Sequence, residues 1–311
     1  MSNDLPFSRR LLLGRMAAGG TIVGTFLLPT HVQAAMVQAS ETLAWNAPRR
    51  TVSTRHRPQP PLVMLDPGHG GKDPGAIGVS GTYEKHIALS AATELKHLLE
   101  ADGRYRVRMT RARDIFIPLE TRVAIAQRAG ASLFVSMHAD AIHDHAVRGA
   151  SVYTLSNSAS DPVAAALAVR ENSADRFLGP KWRNTSPEVA AILSSLVQRE
   201  TKIDSVRMAR DMVDHLARDV RMLTNPDRHA GFVVLKSAQI PSILVEMGFM
   251  SNRQDEAALR RPAHRATVAQ AMRQAVDAYF TAAHRVASLV DLPGIDPDDP
   301  GPGDRGPGIV G

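Results

Sequence analysis

Four residues scattered along this 311-residue chain carry side chains that could act together: His69, Glu84, His138 and Glu246. His69 lies in Asp66-Pro67-Gly68-His69-Gly70-Gly71, His138 opens His138-Ala139-Asp140, and Glu246 opens Glu246-Met247-Gly248-Phe249. Each of these three segments follows a short apolar run, and Glu84 stands at the start of a helical pattern just after the glycine loop. The chain has no cysteine. That excludes a thiolate zinc site, a disulfide scaffold and a cysteine nucleophile, and leaves His, Asp and Glu to hold any metal. Imidazole and carboxylate donors suit Zn²⁺, which takes nitrogen at ~2.0–2.1 Å and oxygen at ~2.0–2.2 Å and keeps a water beside three protein ligands in catalytic sites. A carboxylate outside the ligand set could accept a proton from that water, whose pKa zinc lowers toward ~7. Glu246, at a strand end, is placed for that task. The glycines around His69 permit a tight turn that lets the imidazole point inward.

Other histidines compete for attention. His143 and His145 follow His138 closely, but their Asp- and Gly-bearing segment reads as a solvated loop. His86 is two residues from Glu84 and would face elsewhere on a helix. His229 precedes an apolar run, where nothing in the sequence gives it a task. Gly71-Lys72-Asp73 lacks the loop length and the Ser/Thr after Lys that a phosphate-cradling P-loop needs.

The elements that must position these residues follow from periodicity. Leu62–Leu65, Tyr105–Thr110, Leu133–Met137, Ala150–Leu155, Phe232–Leu235 and Ile243–Val245 read as strands. Helical patterns run from Tyr83 to Glu100, from Pro118 to Ala129, over most of 159–220, and through Val268, Met272, Val276 and Phe280. Strands alternating with helices, several of them apolar on both faces, give a single-domain α/β fold: a mostly parallel twisted sheet of about six strands with helices on both faces. In such sheets the site lies beyond the carboxyl ends of the strands, which is where His69, His138 and Glu246 fall.

Composition bounds the rest. Hydrophobic residues make up 44% and charged residues 22%, so the chain is neither wholly disordered nor collagen-like. Net charge is +6, which favours an anionic partner. With only 14 aromatic residues and no dense basic run among them, the sequence gives no nucleic-acid interface. Residues 1–34 read as a twin-arginine signal peptide: Arg9-Arg10 precede a moderately apolar segment, and Val32-Gln33-Ala34 offers small residues at a cleavage spacing. That address implies the periplasm, with no stable membrane span. Residues 35–60 read as a linker, 61–288 as the one-domain core, and 289–311, rich in Pro, Gly and Asp, as a disordered tail.

Leu65-Asp66-Pro67-Gly68-His69-Gly70-Gly71-Lys72-Asp73-Pro74-Gly75-Ala76, Tyr83-Glu84-Lys85, Ser136-Met137-His138-Ala139-Asp140 and Val245 through Asn252 together resemble the zinc-dependent N-acetylmuramoyl-L-alanine amidases of bacterial cell walls. The similarity covers about residues 61–283 and includes Arg111 through Arg122. It implies that His69, Glu84 and His138 hold one zinc ion and that Glu246 is the catalytic carboxylate. It implies hydrolysis of the amide between N-acetylmuramic acid and L-alanine, in wall remodelling and daughter-cell separation. The long helical stretch 156–225 is similar to the regulatory insertion of division-type members, which implies that Glu171 caps the zinc at rest and that a LytM-domain protein is the activator. About 26 residues between the expected cleavage and the core leave no room for the amino-terminal targeting domain of some relatives. Two other readings remain open at this point: a catalytically inactive peptidoglycan-binding module, and a zinc peptidase acting on wall peptides.

Overall fold

Strand residues alternate between two cores, and that alternation builds the molecule. A computed structural model describes residues 59–177, 195–237 and 239–290. Six strands form one sheet: β1 (Leu62–Pro67), β2 (Arg106–Met109), β3 (Leu133–His138), β4 (Ala150–Leu155), β5 (Met222–Ala230) and β6 (Ser242–Glu246). Their order is β2-β1-β3-β6-β4-β5. β1, β2, β3 and β6 run parallel, β4 is antiparallel to β6, and β5 is parallel to β4. The expected mostly parallel six-stranded sheet is therefore present.

Val63, Leu65, Val135, Met137, Ile243 and Val245 point into one core. It is closed by α1 (Glu84–Glu100), α4 (Ser195–Asp219) and α6 (Pro262–Val290), through Leu95, Met212 and Met272 among others. Leu62, Met64, Phe134 and Leu244 point into the other. There α2 (Leu119–Ala129) contributes Ala126, and α3 (Pro162–Asn172) contributes Ala164, Leu167 and Ala168. Side chains of period two on the strands and helices on both faces are the doubly covered sheet that apolar strands require. A short helix, α5 (Arg253–Arg260), follows β6 and was not anticipated from periodicity.

The fifth strand departs from expectation. Phe232–Leu235 is not a strand: Val233–Leu235 forms a 3-10 turn, with Phe232, Val234 and Leu235 buried in the second core. The strand is the polar segment Met222–Ala230, so the helical stretch expected over 156–225 ends before β5. A four-residue apolar run cannot be told from a buried helical turn by periodicity. A polar strand containing Pro226 is tolerated because β5 lies at the sheet edge. The expected signal peptide, most of the linker, residues 178–194 of the expected helical stretch and the tail from 291 lie outside the described residues. Among the described residues no helix is long and apolar enough to cross a membrane.

Candidate metal centre

The loop after β1 is held by two buried arginines. Arg111 donates through Nε to the carbonyl of Pro67 (2.9 Å) and through Nη2 to those of Gly68 (2.6 Å) and Lys85 (2.9 Å). Arg122 donates to the carbonyls of Pro67 (2.8 Å) and His69 (2.7 Å) and pairs with Asp66 at 2.9 Å. Asp66 also accepts from Thr110 and Ser136. Burial would raise the Asp66 carboxyl, but Arg122 and these hydroxyls hold it below its usual range. Clamped in this way, His69 adopts φ 60°, a left-handed backbone that is costly away from glycine and typical of functional sites. Glycine is required at two nearby positions. A Cβ at Gly68 would collide with the His138 ring, and one at Gly75 (φ 69°) would come within 2.6 Å of both the Glu84 carboxylate and the His69 ring.

Four side chains then converge. His69 Nε2 lies 3.1 Å from Glu84 Oε2 and 3.5 Å from Glu171 Oε2. His138 Nδ1 lies 3.1 Å from Glu84 Oε1 and 3.0 Å from Glu171 Oε2. One ligand atom from each of the four falls within 4.8 Å of all the others, and all four residues are buried. Each arrives from a different element: His69 from the β1 loop, Glu84 from the first position of α1, His138 from the end of β3, and Glu171 from the last turn of α3. The Glu84 carboxylate accepts the backbone N–H of Ala76 and of Ala139, both at 2.8 Å. His69 Nδ1 sits 2.8 Å from Asp73 Oδ2, the kind of partner that fixes the tautomer of a metal-ligating imidazole.

Glu246 stands beside this group. It pairs in register with His138 across β3 and β6, and its Oε2 accepts the N–H of Asp140 at 2.9 Å. Its Oε1 is buried without a hydrogen bond, as are His69 Nε2, Glu171 Oε1 and Asp140 Oδ2. Unsatisfied polar atoms are rare in protein interiors. Four of them around one His/Glu cluster fit a divalent cation with nitrogen and oxygen ligands, the donor set zinc accepts.

The charges agree. Burial alone would lower His69, but Glu84 and Glu171 raise its pKa to about 10. Burial likewise opposes the charged form of His138, yet Glu171 and Glu84 lift it well above the ordinary value. Glu84 is held well below the carboxylate range by His69 and His138 despite its burial. The same carboxylate charge that raises the imidazoles would favour a cation, which binds the deprotonated imidazole. Burial pushes Glu246 up to about 8, with Glu84 and Glu171 adding to the effect against His138. Burial and the same carboxylates push Asp140 well above its ordinary value, against Arg170, whose Nε lies 2.8 Å from Asp140 Oδ1.

The structure thus brings His69, Glu84, His138 and Glu171 into one cluster with Glu246 alongside. His86 faces Asp114 at 3.7 Å, His229 Nδ1 lies 2.9 Å from the Ser158 carbonyl, and His143 and His145 are exposed, so none of these joins it. Sequence reasoning gave no task to Asp73, Arg111, Arg122 or Asp140. Asp73 could have been found as an acid four residues from a loop histidine. Two arginines beside a glycine-rich loop gave no signal of their own that they would be buried.

Residues 63–278 match the family model described as N-acetylmuramoyl-L-alanine amidase. The chain is 39% identical over 224 residues to the N-acetylmuramoyl-L-alanine amidase AmiC of Escherichia coli, covering 72% of this chain and 54% of that protein. It is 39% identical over 245 residues to AmiA of Salmonella typhimurium, covering 78% of this chain and 84% of that one. It therefore spans about half the length of the AmiC relative and most of the AmiA relative. Among solved structures, AmiC2 of Nostoc punctiforme superposes with a TM-score of 0.50 at 29% identity, over 71% of this chain and 97% of that chain.

Proposed function

The chain belongs to the N-acetylmuramoyl-L-alanine amidase family, a family of hydrolases, and from that premise we propose that it cleaves the amide joining N-acetylmuramic acid to the L-alanine of the stem peptide. One observation carries this reading: two imidazole nitrogens and two carboxylates meet within 4.8 Å beside a buried, unpartnered glutamate oxygen. His69, Glu84 and His138 would hold one zinc ion. The chemistry it supplies when bound is Lewis-acid polarisation of the amide carbonyl and of the attacking water.

The protein's own groups do the rest. Asp73 keeps His69 turned with Nε2 toward the cluster. The N–H groups of Ala76 and Ala139 fix the Glu84 carboxylate. Glu246 takes the proton of the attacking water on its free oxygen and returns it to the leaving amine, a role suited by a buried carboxylate whose Oε1 has no hydrogen bond.

Glu171 fills the remaining side of the cluster, so we read the described form as a resting state in which α3 occludes the metal. A LytM-domain activator would displace α3. The twin-arginine segment would deliver the protein to the periplasm, where the substrate lies and where wall remodelling and daughter-cell separation occur. Cell fractionation of a strain carrying Arg9→Lys and Arg10→Lys should show the protein retained in the cytoplasm.

The direct test pairs metal analysis with digestion of purified sacculi, with and without chelator. One zinc per chain, with chelator-sensitive release of intact stem peptides and free glycan strands, supports the proposal. Cleaved cross-links would make the enzyme a peptidase. Sacculi bound without release would make it an inactive binding module.

A further inference from the structure

Three loops leave the site-bearing elements and meet again around a second cavity of about 520 Å³, open to solvent. Val79 comes from the hairpin that precedes Glu84, His145 and Arg148 from the loop after His138, and Ser251, Asn252 and Arg253 from the segment after Glu246. Val79 and Ser251 are each five residues from a site residue, and His145 is seven. The cavity is therefore tied by short stretches of chain to the groups proposed to cleave the amide.

Its walls are fastened to one turn of α5. Asp255 Oδ2 accepts the N–H of Gly149 (2.7 Å) and of Phe249 (3.1 Å), and Oδ1 pairs with Arg148 Nε at 3.2 Å. Both oxygens of Glu256 accept the N–H of Ser80, at 3.0 and 2.9 Å. Gly78 leaves the space that the Glu256 carboxylate occupies. Asn252 caps α5 through its oxygen and donates through Nδ2 to the His145 carbonyl at 2.8 Å. Asp255 and Glu256 are buried and engaged with backbone. The cations that line the opening are differently placed. Arg253 is exposed and makes no hydrogen bond or ion pair among the described residues, and Arg148 uses only its Nε. A preformed cavity with an apolar lip at Val79, hydroxyl and amide groups, the unengaged guanidinium of Arg253 and the remaining Nη groups of Arg148 suits a carboxylate on a short aliphatic chain.

We propose that this cavity is the subsite for a free carboxylate of the stem peptide, with Arg253 as a specificity-determining residue. The proposal rests on the amidase reading for the identity of its ligand. A wall stem peptide carries such carboxylates a few residues from the L-alanine whose amide is cut, and the loops lining the cavity leave the chain five to seven residues from Glu84, His138 and Glu246.

The test uses the full zinc-loaded chain. The probe is the peptide L-alanyl-γ-D-glutamyl-L-lysine, titrated calorimetrically as the free acid and with both carboxylates amidated. Arg253→Glu should weaken free-acid binding by about fivefold, the scale of a partly exposed ion pair, and leave the amidated peptide unchanged. Arg253→Lys should keep most of the affinity, and the difference should shrink at high salt. On a muramyl-peptide substrate, Arg253→Glu should raise KM by a similar factor with kcat within about twofold, since an interaction made equally in ground and transition states moves KM alone. Equal binding of the acid and amide forms, or an Arg253→Glu protein that binds both as before, overturns the subsite. If binding depends on Arg253 as expected but sacculi release no stem peptide, the amidase reading falls and the carboxylate site stands.

Discussion

Glu84 and Glu171 both turn a buried carboxylate toward His69 and His138, yet they are held in different ways. The two oxygens of Glu84 accept backbone N–H groups of Ala76 and Ala139, and its own N–H donates to the Ala76 carbonyl. Around it, Arg111 and Arg122 gather the carbonyls of residues 67, 68 and 69. Glu171 has no such tie, and its Oε1 has no partner. Its helix packs on the second core through Ala164, Leu167 and Ala168, two of them the smallest apolar side chains that can pack. Polar contacts from Arg170, Asn172 and Asp175 add to this at its carboxyl end. The first region is fixed before any ligand arrives. The second reaches the same histidines from a helix that packs on the sheet through side chains and takes no part in its strand pairing.

The sharpest probe of the fixed region is Glu246→Gln. The substitution keeps shape and the acceptor for the Asp140 N–H but removes the proton acceptor. Turnover should fall by ~10²–10⁴-fold, with zinc content unchanged by metal analysis. A variant that retains its rate would remove Glu246 from the chemistry and leave the cluster as a binding site only.

Arg122→Met asks whether the cradle depends on its clamp. Arg122 and Asp66 are both buried, and removing one partner of a buried ion pair costs ~3–5 kcal/mol. Thermal unfolding should show a loss of that order, with weaker zinc retention because the His69 carbonyl loses its donor. An unchanged melting temperature would mean that the β1 loop holds its left-handed turn without the clamp.

Glu171→Ala tests the detachable region. If Glu171 only occludes, the variant keeps its zinc and gains basal activity on sacculi. A hydrogen bond to a charged group is worth ~1.5–3 kcal/mol, or about ten- to a hundredfold in the open population. Loss of zinc in this variant would instead make Glu171 a resident ligand and erase the contrast with Glu84.

The contrast also explains what the sequence revealed. Glu84, His138 and Glu246 are legible because strand and helix ends announce themselves, and sheet topology brings such ends to one edge. His69 is legible from the glycines that its turn demands. The clamp is not, because an arginine that satisfies carbonyls inside a protein looks in sequence like one facing water. β5 is not, because a polar edge strand lacks the alternation that marks a half-buried one. Glu171 comes into view only through the resemblance of its surroundings to a regulatory insertion. Its helix is nearly as apolar on its outer face as on its inner one, with Val169 72% exposed, so periodicity does not say which side packs.

Arg170→Ala should have the smallest effect, and it separates the helix from its glutamate. Arg170 reaches from α3 to Asp140 Oδ1 at 2.8 Å and donates to the Ala141 carbonyl at 2.6 Å, just after the strand that ends in His138. The Arg170 side chain is 44% exposed, so solvent screens the pair and its contribution is of the order of 1 kcal/mol or less. Basal activity should rise by about two- to fivefold, and the rise should fade as salt is added to the wild type and the two converge. Combined with Glu171→Ala, the change should be less than the product of the two, because both substitutions release one helix from one site. If the effects multiply fully, Arg170 and Glu171 act on separate steps, and α3 is not the single moving element that the contrast requires.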